Sequence, residues 1–210
     1  MVVQQYNAVL EGLATAEELD EVFAQFLESP AWREMETRTS RRLCDQFTFG
    51  RDRAAPPPPH LHFMHGLLQK LLGRLQQTDA AGTEILPLSC FLCLYEDGED
   101  SCPSHVHDCR QLTLSFGDER ALVVEGRPLR MRHGDVVVLD GERHSVPAEP
   151  GKPCQPRVSV NLFYTTALDA ATREVSVNHR QGGGYRERGA AGRGEGRGGA
   201  SPASLRRRPV

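Results

Sequence analysis

The spacing of apolar positions changes character once along the chain. Thr15 and Glu18 form a capping box ahead of Leu19, Val22, Phe23 and Phe26, which recur at helical spacing as far as Ser29-Pro30. This predicts a first amphipathic helix. Arg51 to Pro59 ends in four consecutive prolines. Such residues cannot donate ladder hydrogen bonds and hold the chain extended, so the stretch reads as a loop that leads into a helix. From His60 onward, Leu68, Leu71, Leu72 and Leu75 mark one helical face, ended near the Gly82 turn. After Glu84 the pattern becomes a series of short apolar runs: Ile85 to Tyr95, Gln111 to Phe116, Ala121 to Glu125, Val136 to Leu139 and Val158 to Tyr164. Asp97-Gly98, Gly117-Asp118, Gly126, Gly134 and Asp140-Gly141 punctuate them. Helices followed by strands imply an α+β chain in which a sandwich or jelly roll is buttressed by N-terminal helices. Residues 1–83 are the expected helical and loop part, and residues 84–170 the β core.

Beyond Gly182 the chain is Gly, Arg and Ala with almost no large apolar residue, so residues 180–210 are expected to form a disordered tail. Charge sharpens this division. Arg180 to Val210 carries eight arginines against Glu187 and Glu195, or +6, so a total of -3 leaves -9 on residues 1–179. The folded part therefore has no basic excess of the kind that marks a nucleic-acid binder, whereas the tail has the composition of segments that attract RNA or DNA through phosphates and Arg stacking. No apolar run approaches the ~18 residues of a membrane span. Met1 to Leu10 lacks the basic start and apolar stretch of a secretory signal, so an intracellular location, in cytoplasm or nucleus, is expected. Cys44, Cys90, Cys93, Cys102, Cys109 and Cys154 are then expected as free thiols.

Three segments of the strand region carry candidate chemistry. In Ser104-His105-Val106-His107-Asp108, residues two apart on an extended chain project to the same face, so both imidazoles can point at one spot, whereas Asp108 faces the other way. His133-Gly134-Asp135-Val136-Val137-Val138 is a tight turn into a buried strand, followed by His144. Pro156 to Tyr164 is a late strand with one cation, Arg157. Two ligands on one strand and a third histidine on a later one suit a facial metal site. His60, His62 and His65 form a second group, expected on a solvated helix surface.

These segments resemble the AlkB-like Fe(II)/2-oxoglutarate-dependent dioxygenases. Leu92 to Asp108, LCLYEDGEDSCPSHVHD, is similar to the family segment in which a strand with Tyr leads through a D-G turn to H-x-D. Leu112 to Gly117 is similar to its S-x-S-x-G strand, HGDVVV recurs before the distal His, and PRVSVNLF stands where the family has R-x-N-x-T-x-R. The resemblance covers residues 85–166 and implies a double-stranded β-helix holding Fe(II) and 2-oxoglutarate. Carried over by position, it implies His105 and His144 as metal ligands and Arg157 with Tyr95 as the cosubstrate's partners. Asn161 stands at the motif's Thr, beside the cosubstrate. The chain departs from the pattern at three positions: His107 replaces the aspartate of H-x-D, Phe163 the second arginine, and Cys93 an asparagine. His105, His107 and His144 are thus the expected metal set. The implied activity is oxidation of a C–H or N-methyl group by dioxygen, as in nucleic-acid demethylation, with 2-oxoglutarate converted to succinate. The departures leave two rivals open: a non-catalytic jelly roll that binds nucleic acid or protein, and a cupin-type three-histidine dioxygenase that needs no 2-oxoglutarate.

Overall fold

A computed structural model describes residues 3–36, 40–50, 55–78, 82–172, 179–181 and 206–207. The chain runs β1 (Gln4–Asn7), α1 (Ala16–Glu28), β2 (Arg33–Glu36), β3 (Arg41–Thr48), a 3-10 turn at Pro59–Met64, α2 (His65–Thr78) and β4 (Ile85–Tyr95). It continues through β5 (Cys102–His107), β6 (Arg110–Gly117), β7 (Arg120–Val124), β8 (Arg127–Met131), β9 (Asp135–Leu139), β10 (His144–Val146) and β11 (Arg157–Thr166). A short α3 (Ala167–Thr172), β12 (His179–Gln181) and β13 (Arg206–Arg207) follow. The rest of the glycine- and arginine-rich tail lies outside the described residues.

The strands form two antiparallel sheets, in the orders β1-β9-β6-β11-β4-β3-β2-β13 and β12-β5-β10-β7-β8. From β4 to β11 the chain crosses repeatedly between them: β4, β6, β9 and β11 lie in the large sheet, β5, β7, β8 and β10 in the small one. That interleaving makes the jelly roll a double-stranded β-helix, as the order of helical and strand-like segments led us to expect.

Two apolar layers hold the fold. On one face of the large sheet, Leu92, Leu112, Leu114, Phe116, Val158, Val160 and Leu162 pack against Leu19, Val22 and Phe26 of α1 and Leu67, Leu68, Leu71 and Leu75 of α2. Burying each such side chain stabilises by about 1.5–3 kcal/mol. Thr15 Oγ1 accepts a hydrogen bond from the Glu18 N–H at 3.1 Å and starts α1 as its motif implied. Between the sheets, Phe91, Val137, Leu139 and Phe163 meet Leu122, Val124, Met131 and Val146. This inner layer is less apolar, and the candidate site lies there.

One expectation needs amending. The N-terminal segment is not only helix and loop, because β1 pairs with β9 and β3 with β4 inside the large sheet. The sequence RRLCDQFT of β3 hides its strand character because its inward positions are Arg42 and Cys44 rather than large apolar residues. Among the described residues, no helix is long and apolar enough to cross a membrane.

Candidate metal and cosubstrate site

β5 and β10 are neighbours in the small sheet, with His105 and His144 directly opposite each other. His107, two residues on, shares the inward face, so the pleat alone gathers three imidazoles. Their nearest ligand atoms all lie within 4.8 Å of one another, and all three side chains are buried. His105 Nδ1 donates to the Pro103 carbonyl at 2.8 Å, and His144 Nδ1 donates to the Glu142 carbonyl at 2.9 Å. Each bond fixes the proton on Nδ1 and leaves Nε2 unprotonated, the arrangement in which a backbone carbonyl orients a metal-binding histidine. Burial pulls the His144 pKa below the usual imidazole value and so favours the neutral ring, partly opposed by Glu142. Asp108 is outside this cluster. His107 packs on Phe163, ring centroids 4.5 Å apart.

The opposite wall is the large sheet, whose registers set the side chains in rows. Arg157 pairs with Tyr95, and Arg42 sits one residue before the Leu43–Leu94 pair, so Arg42, Tyr95 and Arg157 form one row across three strands. The next row is Cys44, Cys93, Ser159 and Ser115, and the one after is Gln46, Phe91, Asn161 and Thr113. Together the two walls line one narrow pocket, part of it open to solvent. The three histidines, Arg42, Tyr95, Arg157 and Asn161 all line it, and among the described residues no carboxylate does.

Arg157 is 1% exposed, and its guanidinium carbon lies 5.3 Å from the Tyr95 ring centroid. Its Nε donates to Ser115 Oγ at 2.9 Å, but Nη1 has no hydrogen-bond partner. Burial draws its pKa below the ordinary arginine value, with Tyr95 opposing that shift. A buried donor on a cation, aimed into a cavity without acids, calls for an anionic ligand. Tyr95 is likewise buried, and that burial raises its hydroxyl well above its usual range, so it stays a neutral donor.

Asn161 is differently placed. Its Oδ1 accepts from Gln111 Nε2 at 3.1 Å and Thr113 Oγ1 at 2.9 Å, and its Nδ2 donates to the Phe91 carbonyl at 3.0 Å. The amide is spent on the wall, which limits what it can offer a ligand. Beside it the Cys93 thiol is pulled down to about 6, first by its contact with Cys44 Sγ at 4.0 Å and also by Arg42, against the effect of burial. The same contact pushes Cys44 up.

His133 stands apart from the three-histidine cluster: its Nδ1 accepts the Gly117 N–H at 3.0 Å. His60 pairs with Asp45 at 2.8 Å on the surface, and no second metal-competent cluster occurs among the described residues. The site residue that motif reading missed is Arg42. Nothing in Ser40-Arg41-Arg42-Leu43 distinguishes the inward arginine from its neighbour until the register of β3 is known.

No family model matches the chain, and no curated protein matches it. Solved structures do. HygX from Streptomyces hygroscopicus with nickel and 2-oxoglutarate bound superposes with a TM-score of 0.57 at 11% identity, covering 85% of this chain and 92% of that one. An oxidoreductase of the 2OG-Fe(II) oxygenase family from Burkholderia pseudomallei gives 0.55 at 17% identity, covering 78% and 85%. The non-heme alpha-ketoglutarate-dependent epimerase SnoN from nogalamycin biosynthesis gives 0.55 at 14%, covering 79% and 78%. The fold is that of the 2-oxoglutarate oxygenases. In this double-stranded β-helix the three histidines stand on two strands of the small sheet, and Arg157 starts β11 of the large one.

Proposed function

We propose that this protein is an Fe(II)- and 2-oxoglutarate-dependent oxygenase of AlkB-like type. His105, His107 and His144 are its metal ligands, and Arg157 with Tyr95 holds the cosubstrate carboxylate. The observation that carries the reading is the meeting, in one acid-free cavity, of three converging buried imidazoles and a buried guanidinium whose Nη1 has no protein partner. The fold shared with the 2-oxoglutarate-bound HygX structure supports it.

The donor set suits the groups. Two imidazoles are oriented through Nδ1 by backbone carbonyls, which leaves Nε2 unprotonated, and imidazole is a good ligand for iron. When bound, the metal would supply the redox chemistry by which dioxygen oxidises a C–H bond, with 2-oxoglutarate giving up the second pair of electrons as it is converted to succinate and carbon dioxide. The residues of the chain do the rest. Arg157 offers a fixed fork to a carboxylate, Tyr95 a neutral hydroxyl, and Phe91, Leu122, Val146 and Phe163 keep the surroundings dry. The substrate in this reading carries an N-methyl or other C–H group and belongs to nucleic acid. That rests on the resemblance of residues 85–166 and on the +6 charge of the tail.

The test is an anaerobic titration of apo-protein with Fe(II) and then 2-oxoglutarate, following the metal-to-ligand charge-transfer band. The parent should show the band, and Arg157→Ala should lose it while keeping its melting temperature. Iron binding without the band would favour a three-histidine dioxygenase, and absence of iron binding a non-catalytic module.

A further inference from the structure

Three arginines are buried around Tyr95, and they are not held alike. Arg120 is 0% exposed, with its guanidinium carbon 5.7 Å from the Tyr95 ring centroid. It donates to the carbonyls of Asp97 at 2.8 Å, Asp100 at 2.9 Å and Pro147 at 3.1 Å, and so ties the β4–β5 loop to the β10–β11 loop. That is how a structural arginine is built. Arg42, 6% exposed, has no such set: Nη1 reaches Ser40 Oγ and the Ser101 carbonyl only at 3.4 Å each, Nη2 meets Met35 Sδ at 3.4 Å, and Nε has no hydrogen-bond partner. Apart from the Cys93 thiol, whose pKa it lowers, Arg42 thus meets only neutral groups, at lengths that repay little of the burial of a charge. Among the described residues no carboxylate stands within ion-pair distance of either Arg42 or Arg157.

Arg42 and Arg157 flank Tyr95 in one row and line the same cavity. The row is set off from the His107 side of the pocket, because Phe163, which packs on His107, lies six residues beyond Arg157 along β11. The Cys93 sulfur beside Arg42 offers at most one negative charge against two guanidinium groups. We infer that Arg42 is a second anion-binding group of the cosubstrate pocket, so that the carboxylate remote from the metal is clamped by two guanidinium groups across Tyr95. This rests on the proposed function and assigns to β3 the second cation that Phe163 removes from β11. It makes a distal negative charge a strict requirement for the ligand.

The test compares 2-oxoglutarate with 2-oxobutanoate, which lacks the distal carboxylate, in anaerobic calorimetric titrations of Fe(II)-loaded protein. In the parent, 2-oxoglutarate should bind far more tightly. Arg42→Gln should cut that preference by about tenfold or more, leave 2-oxobutanoate affinity unchanged, and leave the melting temperature of ligand-free protein equal or higher, since a buried charge with few hydrogen bonds is gone. Arg42→Lys should recover only part of the preference, because a point charge does not replace the fork. An unchanged preference in Arg42→Gln would overturn the inference and leave the proposed function standing. A lowered melting temperature with equal weakening of both ligands would also overturn it, by showing a structural role. Should Arg42→Gln not fold, Arg42→Lys decides alone, and parental preference there refutes the clamp. If the parent itself binds neither ligand, the proposed function fails and the inference falls with it.

Discussion

At His107 strand β5 carries an imidazole where the pattern it resembles carries a carboxylate. Three neutral imidazoles leave a divalent ion with its full charge, and the acid-free cavity does nothing to reduce it. His107→Asp would lower the net charge of the centre by one and offer a hard oxygen ligand suited to Fe(II). The variant is expected to bind Fe(II) at least as tightly as the parent and to release succinate about tenfold faster without substrate, the equivalent of ~1.4 kcal/mol off the barrier. Succinate assays under matched Fe(II) and ascorbate check this, and a variant no faster than the parent would show that more than the ligand sphere has drifted. How much of the site was legible depended on whether a residue's role is local. His105, His107 and Tyr95 stand in one segment with a recognisable spacing, and Arg157 opens a strand that reads as buried. Arg42 was not legible because Arg41 and Arg42 are adjacent. Only the register decides that Arg41 turns out to Asp100 at 2.9 Å while Arg42 turns in. The saturation of Asn161 was hidden too, since its partners Gln111 and Thr113 lie on another strand.

Among the elements, α1 and the large sheet meet at a junction that titrates. His133 Nδ1 accepts the Gly117 N–H, so its ring proton is on Nε2, 3.7 Å from Asp20 of α1. Burial lowers its pKa below 6.5, with Asp20 opposing the shift. The native state therefore holds fewer protons than the unfolded one between the two pKa values. The stabilisation is complete above pH 6.5 and is lost progressively as pH falls from there toward the lowered folded value. His133→Gln is expected to make the decline of melting temperature between about pH 6.5 and 5 shallower in chelator-treated protein. A decline as steep as the parent's would refute this. The amphipathic α1 and the long apolar strands β4 and β11 followed from periodicity. β8 did not, because RPLRM at the edge of the small sheet buries only Met131 fully and shows no alternation.

For the whole molecule, charge is divided between a negative body and a positive tail. Removing residues 182–210 is expected to leave the melting temperature within a degree or two, since only the Arg206–Arg207 pairing with β2 leaves the described fold. It should also weaken RNA or DNA binding and flatten its dependence on salt, as fewer phosphates are neutralised. Electrophoretic mobility shifts across a salt series check both, and equal slopes for full-length and truncated protein would refute a role for the tail.

Gly117 sets an order of events for the making of this protein. Its φ of +79° and the contact of any added Cβ with the Phe23 ring and the Pro156 carbonyl show how closely α1 is fitted against the end of β6. That seat is formed by residues roughly ninety positions after the helix itself. During synthesis α1 leaves the ribosome first and must wait, its face of Leu19, Val22, Phe23 and Phe26 uncovered, until β6 and β11 have been translated. A chain so dominated by distant pairings folds slowly, on the millisecond-to-second scale, and that waiting helix is where chaperone capture will concentrate.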